Sequence, residues 1–335
     1  MYIDAWVSAV HRVGLMSVSA REVGSVRRTG FTAPWRLYYY RDAFGNFGDD
    51  LNPWLWSRLL PDLLDDAAVP ALVGIGTVVN EQLPAGPKVI AGSGVGYGTV
   101  PRLTDEWAVH FVRGPGTARA LGLPLSYAIT DPAHLITQFI RPSAHGQGTV
   151  FIPHHVSAMR ADWRRVAESA GMSYVDPASG PIHVVHAIRR ARLVVTSAMH
   201  GAIIADAFRV PWIRVREYAH LNDFKWHDWG DSLNVDVTAQ VLPELHDHSE
   251  FSLRRSLVRI GRAWQRAGRP HRTSPVSVPV IESGPRQFDY AVAILHGLND
   301  PSRGILSADG VLADRIEQLV DAVKQLKRRL CPAHL

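Results

Sequence analysis

The sequence predicts an α/β protein built from two facing Rossmann-like domains, with helices at its C-terminal end. Short apolar runs recur between helical stretches and end in glycine-rich or polar turns, as buried parallel strands do. Residues 141–148, Arg-Pro-Ser-Ala-His-Gly-Gln-Gly, are polar and aperiodic and read as a linker between two such units. A chain of 335 residues is long enough to give each unit its own core. The expected division is an extension over 1–33, domains over 34–145 and 146–270, and a linker with C-terminal helices over 271–335.

Composition narrows the class. Hydrophobic residues make up 46% and charged residues 20%, as in ordinary soluble proteins. The net charge of +5 is a mild bias towards anionic partners, and no nucleic-acid motif accompanies it. Cys331 is the only cysteine, so no disulfide framework or cysteine-based zinc site forms within one chain, which fits a cytoplasmic setting. Arg12, Arg21, Arg27 and Arg28 interrupt what would be the core of a signal peptide. No apolar run approaches the roughly 18 residues a membrane span needs. Met16 is an alternative start.

In chain order, Arg36–Tyr40 reads as the first strand. Phe44–Asn52 follows with two glycines, two Asn and two Asp, and a helix holding Leu55, Leu59 and Leu60 comes next. The turn is either a plain βα connection with an Asx cap or the lining of a cleft by Asn46, Asp49 and Asp50. Ala71–Val78 and Lys88–Ala91 are the next strands, each running into glycines. Gly94 and Tyr97 lie in the denser loop, where backbone can approach a substrate closely. A dinucleotide fingerprint is not met there, because no helix follows and no acid sits at the required distance. Val109–Val112 leads to Arg113, placed at a strand end to meet an anion, and Thr117–Leu121 forms a helix stopped by Gly122. A short strand over Ala128–Thr130 precedes Asp131-Pro132-Ala133.

The second unit opens with Val150–Pro153, directly followed by His154 and His155. Adjacent histidines in a strand point to opposite faces, so at most one enters a given pocket. No His-Glu-x-x-His or carboxylate-rich metal signature appears. Helices over 162–170 and 182–191 flank a strand over Ser173–Val175. Leu193–Val195 is then a strand, with Thr196 and Ser197 as helix caps, a helix over 202–208, and a strand from Trp212. His200 thus lies past a strand's carboxyl end at a helix mouth, where exposed N–H groups attract anions. Arg214 and Arg216 share one strand face. Asn222–Trp229 alternates polar and aromatic residues, either a surface loop over core tryptophans or a sugar platform with Trp226. Basic amphipathic helices are expected over 249–267 and Asp309–Leu330. The second packs on the core, on a second copy, or on an anionic membrane face.

Residues 193–217, the Asn46–Asp50 turn and Asp131–Ala133 together resemble the polysaccharide pyruvyl transferases. Members of that family commonly carry Arg two residues before the signature His; here that place is Ala198. The resemblance spans about residues 36–235 and implies a GT-B-like arrangement with the active site between the domains. It implies phosphoenolpyruvate as donor and a saccharide, lipid-linked, as acceptor, with pyruvate ending as a cyclic ketal and phosphate released. Such chemistry needs an acid for the methylene carbon, a base for the hydroxyls and cations for the donor, and no step needs a metal or cofactor. On this reading His200, Asp49 and Asp50 are catalytic. Arg113, Ser197, Lys225, His154, His155 and Arg214 bind the donor, and Asn46, Gly94, Tyr97 and Trp226 the acceptor. Lys225, Arg214 and Arg216 are the replacements for the cation absent at Ala198. A nucleotide-sugar glycosyltransferase and a non-catalytic carbohydrate-binding relative remain open as alternatives.

Overall fold

The computed structural model describes residues 34–143, 146, 148–219, 221–246 and 282–330. The expected extension over 1–33 and the helix over 249–267 lie outside them. Two parallel sheets organise these residues. The first runs β1 (Arg36–Tyr38), β2 (Ala71–Val73), β3 (Lys88–Ala91) and β4 (Trp107–Phe111), in sequence order. The second contains β5 (Thr149–Ile152), β6 (Ser173–Tyr174), β7 (Leu193–Thr196), β8 (Trp212–Arg216) and β9 (Gln240–Val241), in the order β6-β5-β7-β8-β9. Strands β2, β3, β5 and β7 are buried along their whole length, which is why they read as unbroken apolar runs rather than alternating ones.

Helices α1 (Phe47–Leu59), α2 (Pro115–Ala120), α3 (Trp163–Ser169), α4 (Pro181–Arg190), α5 (Met199–Ala207), α6 (Asp223–Leu233), α7 (Pro285–Gly297) and α8 (Asp309–Leu330) surround the sheets. Pro53 lies inside α1 and lacks the N–H that would bond the Asp49 carbonyl. The Asn52 side chain replaces it, donating to Asp49 O at 2.9 Å. The same amide donates to Ile75 O at 2.9 Å, while its oxygen accepts from Ile75 N at 2.7 Å. One buried Asn therefore repairs the helix and ties it to the loop after β2.

Helix α5 is buried at every position, consistent with its small and apolar residues. A single cluster of buried side chains joins Trp35 and Leu37 near the first sheet to Ile152, Val194 and Trp212 in the second. In α8 the residues Leu312, Leu319, Val323 and Leu326 are buried in that cluster. Its apolar stripe thus faces the core, and no helix among the described residues is long and apolar enough to cross a membrane.

Several local expectations change. The Asn46–Asp50 turn is already helical from Phe47, with Asn46 as N-cap. Residues 128–130 form one bridge, Val112 to Ala128, rather than a strand. The cap of α5 is Ala198, not Thr196 or Ser197. The Thr196 hydroxyl instead donates to Ile152 O at 2.8 Å and accepts from Ala198 N at 3.0 Å, holding β7 to β5 and tightening the turn. The segment expected as a loop over 222–229 is the start of α6, because Trp226 and Trp229, three residues apart, share the helix face turned to the core.

Candidate active site

A cavity of about 360 Å³ opens where strand ends converge. Segments after β1, β2 and β3 supply Tyr40, Asn46, Asp49, Thr77 and Tyr97, and segments after β5, β7 and β8 supply His154, His155, His200 and Lys225. Parallel sheets place ligands at this edge, where loops diverge and helices begin.

His200 sits in the first turn of α5, with its ring laid against Gly48 of α1. A Cβ at position 48 would overlap the imidazole, so only glycine lets the two helices bring this ring into the cavity. Its Nε2 is 3.7 Å from Asp131 Oδ2, and Asp131 is fully buried. The other Asp131 oxygen accepts from Ala133 N at 2.9 Å and caps the 3-10 turn Pro132–Gln138. Burial pushes the Asp131 carboxyl up, but the His200 and Ala133 contacts outweigh it and hold it below the usual carboxylate range. Asp131 therefore presents an anionic oxygen to the Nε2 side of the His200 ring, while Nδ1 lies on the side packed against Gly48.

Asp49 lies nearby, buried, and accepts from Asn46 Nδ2 at 2.5 Å. Burial pushes its carboxyl up to about 6, against the opposing charges of His200 and Lys225. A carboxyl in that range exchanges protons readily at neutral pH. Asp50, next along, accepts the Asn46 backbone N–H at 3.1 Å and does not line the cavity; it caps the helix.

Lys225 is the one Lys or Arg side chain among the described residues that line the cavity. It is 7% exposed. Among the described residues no hydrogen bond or ion pair takes up its ammonium, whose nearest aromatic face is Tyr97, 5.5 Å from Nζ to the ring centre. An anion entering the cavity would give this ammonium a direct hydrogen-bond partner.

Other expected site residues are placed differently. Arg113 is fully buried and bound to Asp228 at 3.0 Å, with Thr77 Oγ1 at 2.7 Å and Val95 O at 3.3 Å. Its guanidinium is consumed by structure and does not line the cavity. Gly94 also lies off the cavity; a side chain there would strike that guanidinium. Arg214 bonds Asp223 and, at 2.7 Å, Val237 O, and stacks 4.6 Å over Trp226. Trp226 is 1% exposed, packed against Trp212 and Trp229, so its ring has no face for a sugar. Arg216 pairs with Asp223 at 2.8 Å. Ser197 lies behind the cavity wall, donating to Glu217 at 2.5 Å and accepting from His154 N at 2.7 Å. Burial pushes Glu217 up to about 7, although Ser197 and Ser157 both bond it. Of the expected residues the cavity gathers His200, Asp49, Lys225, His154, His155, Asn46 and Tyr97.

Asp131, Asp42, Tyr40 and Glu217 were not singled out as site residues by the sequence. Asp131 had a signal, the Asp-Pro-Ala element, but its partner lies 69 positions away (200 minus 131). Asp42 and Glu217 carry no pattern; only the fold brings them to the site.

Fold and site together set Lys225, Asp49 and His200 side by side at the strand ends of an α/β protein. Residues 102–218 match the family described as polysaccharide pyruvyl transferase. The chain is 35% identical over 318 residues to the "Succinoglycan biosynthesis protein ExoV" of Rhizobium meliloti (strain 1021), covering 87% of this chain and 98% of that protein. The chain belongs to the polysaccharide pyruvyl transferase family and is a transferase.

Proposed function

We propose that the enzyme moves pyruvate from phosphoenolpyruvate onto two hydroxyls of one sugar in an exopolysaccharide or lipid-linked oligosaccharide, as a cyclic ketal. Phosphate is the second product. The observation that carries this reading is Lys225, a cation that lines the cavity without a hydrogen bond or ion pair among the described residues, beside His200 of the Asp131–His200 pair. An anionic donor supplies the missing partner. The N-terminal end of α5, where His200 sits in the first turn, adds to the positive field.

In this scheme Lys225 holds the donor's phosphate or carboxylate. His200, oriented by Asp131, protonates the methylene carbon. The electron pair of the double bond forms the new C–H bond, and C2 becomes the electrophile that a sugar hydroxyl attacks. Asp49, coupled by charge to His200, takes one hydroxyl proton. Tyr97, 43% exposed at the cavity, offers a ring for the sugar. The sheets of residues 34–145 and 146–270 form the two facing Rossmann-like halves of a GT-B-like enzyme. Their parallel order and the shared cavity at their strand ends support this.

Thermal melts in the presence of phosphoenolpyruvate or UDP-glucose discriminate donors. Phosphoenolpyruvate raises the melting temperature and UDP-glucose does not. The reverse result points to a glycosyltransferase and removes this reading.

A further inference from the structure

A second Asp–His pair, which the scheme above leaves idle, stands at the cavity with its histidine in the lining. His155 Nε2 is 3.5 Å from Asp42 Oδ2, both side chains nearly buried, at 13% and 10% exposure. Tyr40 donates its hydroxyl to the same Asp42 oxygen at 3.3 Å, and Asp42 Oδ1 accepts from Phe44 N at 2.7 Å. Asp42 is thereby fixed by two donors, and it fixes the ring of His155 in turn. The His154 ring lies 4.3 Å away, centre to centre, and supports the other face. With Nε2 directed at Asp42, Nδ1 is the nitrogen left for the cavity that His155 lines.

Proton stoichiometry gives this pair a task. Ketal formation removes two protons from the sugar hydroxyls. One proton is placed on the methylene carbon and one on the departing phosphate, which leaves as hydrogen phosphate when its C2–O bond breaks with the electron pair on oxygen. Two transfers each way can be divided between two sets of proton-carrying groups. His200 with Asp49 serves the methylene carbon and one hydroxyl. We infer that Asp42 and His155 form the second proton-transfer pair: His155 takes the proton of the other hydroxyl and delivers it to the departing phosphate, and Asp42 is its positioning residue. The inference rests on the pyruvyl-transfer reading.

Two further observations agree. The charged groups acting on His155 are Asp42 and Lys225; the Lys225 charge, which holds the donor anion, reaches both His155 and Asp49. Burial pushes His155 down to about 4, with Asp42 opposing and Lys225 adding, so the ring starts as a neutral base at neutral pH. This pair differs from Asp131–His200 in place as well, since it joins the segments after β1 and β5 rather than lying beside α5.

The test uses the whole enzyme, phosphoenolpyruvate, and exopolysaccharide oligosaccharides first treated with mild acid to remove any ketal. His155→Ala is expected to lower kcat about a hundredfold, with phosphoenolpyruvate affinity by calorimetry within about threefold of wild type, as a group that only carries protons predicts. Added imidazole restores at least about tenfold of the lost rate, because it fits the vacated space and carries the proton. Asp42→Asn lowers kcat about tenfold without changing KM for phosphoenolpyruvate, the split expected of a residue that acts only after binding. Full activity in His155→Ala overturns the inference. So does a loss that follows donor affinity, or one that imidazole does not relieve. A wild-type enzyme that leaves phosphoenolpyruvate intact sinks the pyruvyl-transfer reading itself, which separates the two failures.

Discussion

Helix α6 carries two buried charges three residues apart, and the molecule treats them in opposite ways. On one side, Asp228 accepts from Arg113, from Thr117 N at 2.7 Å and from Thr117 Oγ1 at 2.7 Å. Every oxygen there has a donor, and the region joins α6 to α2 and β4 without space for a ligand. On the other side, Lys225 faces the cavity without a partner, near a raised carboxyl and two Asp–His pairs that sit 3.5 and 3.7 Å apart. The difference teaches what the charge is for. Breaking a satisfied buried pair strands a charge and costs stability, whereas a cation open to a cavity is free to meet a ligand, as the proposed function requires of Lys225.

The largest effect should come from breaking the satisfied side. Arg113→Met leaves Asp228 buried and unpaired, and is expected to cost about 3–5 kcal/mol of stability in denaturant melts. Correctly folded Arg113→Met with near-normal stability would mean the pair contributes nothing. The chemistry of the open side comes next. His200→Ala should fold normally and lose turnover by about a hundredfold or more. His200→Gln, which donates a hydrogen bond but carries no proton at neutral pH, should be as inactive; an active Gln variant would make His200 a binder rather than an acid.

Lys225 should behave as the mirror image of Arg113. Lys225→Met removes a cation that faces the cavity without a hydrogen bond, so stability should change by less than about 0.5 kcal/mol. Donor affinity should fall by about 1–3 kcal/mol, the loss of one charged hydrogen-bond partner. Unchanged affinity for phosphoenolpyruvate by calorimetry would place the donor elsewhere.

A separate effect distinguishes wall from cavity by pH. The Glu217 carboxyl lies at about 7 in the fold against an ordinary value near 4.5. A raised carboxyl gives stability that is complete below the ordinary value and is lost as pH rises towards the folded one. Glu217 should therefore withdraw roughly 2–3 kcal/mol between pH 5 and pH 8. Glu217→Gln should flatten that decline, and an unchanged slope would show that the group stays neutral or that the wall relaxes.

Much of this molecule was legible before its structure. The strands Arg36–Tyr38, Lys88–Ala91 and Leu193–Thr196 follow directly from apolar runs closed by turns, and His200 stands at a helix mouth as its context implied. Lys225 also belongs to the cavity it was expected to serve. What failed was direction. Arg113 follows β4 and Arg214 lies in the middle of β8, yet their guanidinium groups turn to Asp228 and Asp223, partners 115 and 9 positions away, which no local pattern encodes. Trp226 was read as a platform because a helix and an aromatic-rich loop share the same residues; only the three-residue spacing to Trp229 favours the helix. The second Asp–His pair was invisible because Asp42 and His155 lie on different strands' loops, 113 positions apart (155 minus 42).

The most direct test of the central claim is phosphate release from phosphoenolpyruvate by the purified enzyme, measured with and without exopolysaccharide oligosaccharides freed of ketals by mild acid. The account predicts phosphate and saccharide-bound pyruvate in equal amounts, only when donor and acceptor are both present, and lost in Lys225→Met. Turnover of a nucleotide sugar with phosphoenolpyruvate untouched would contradict it.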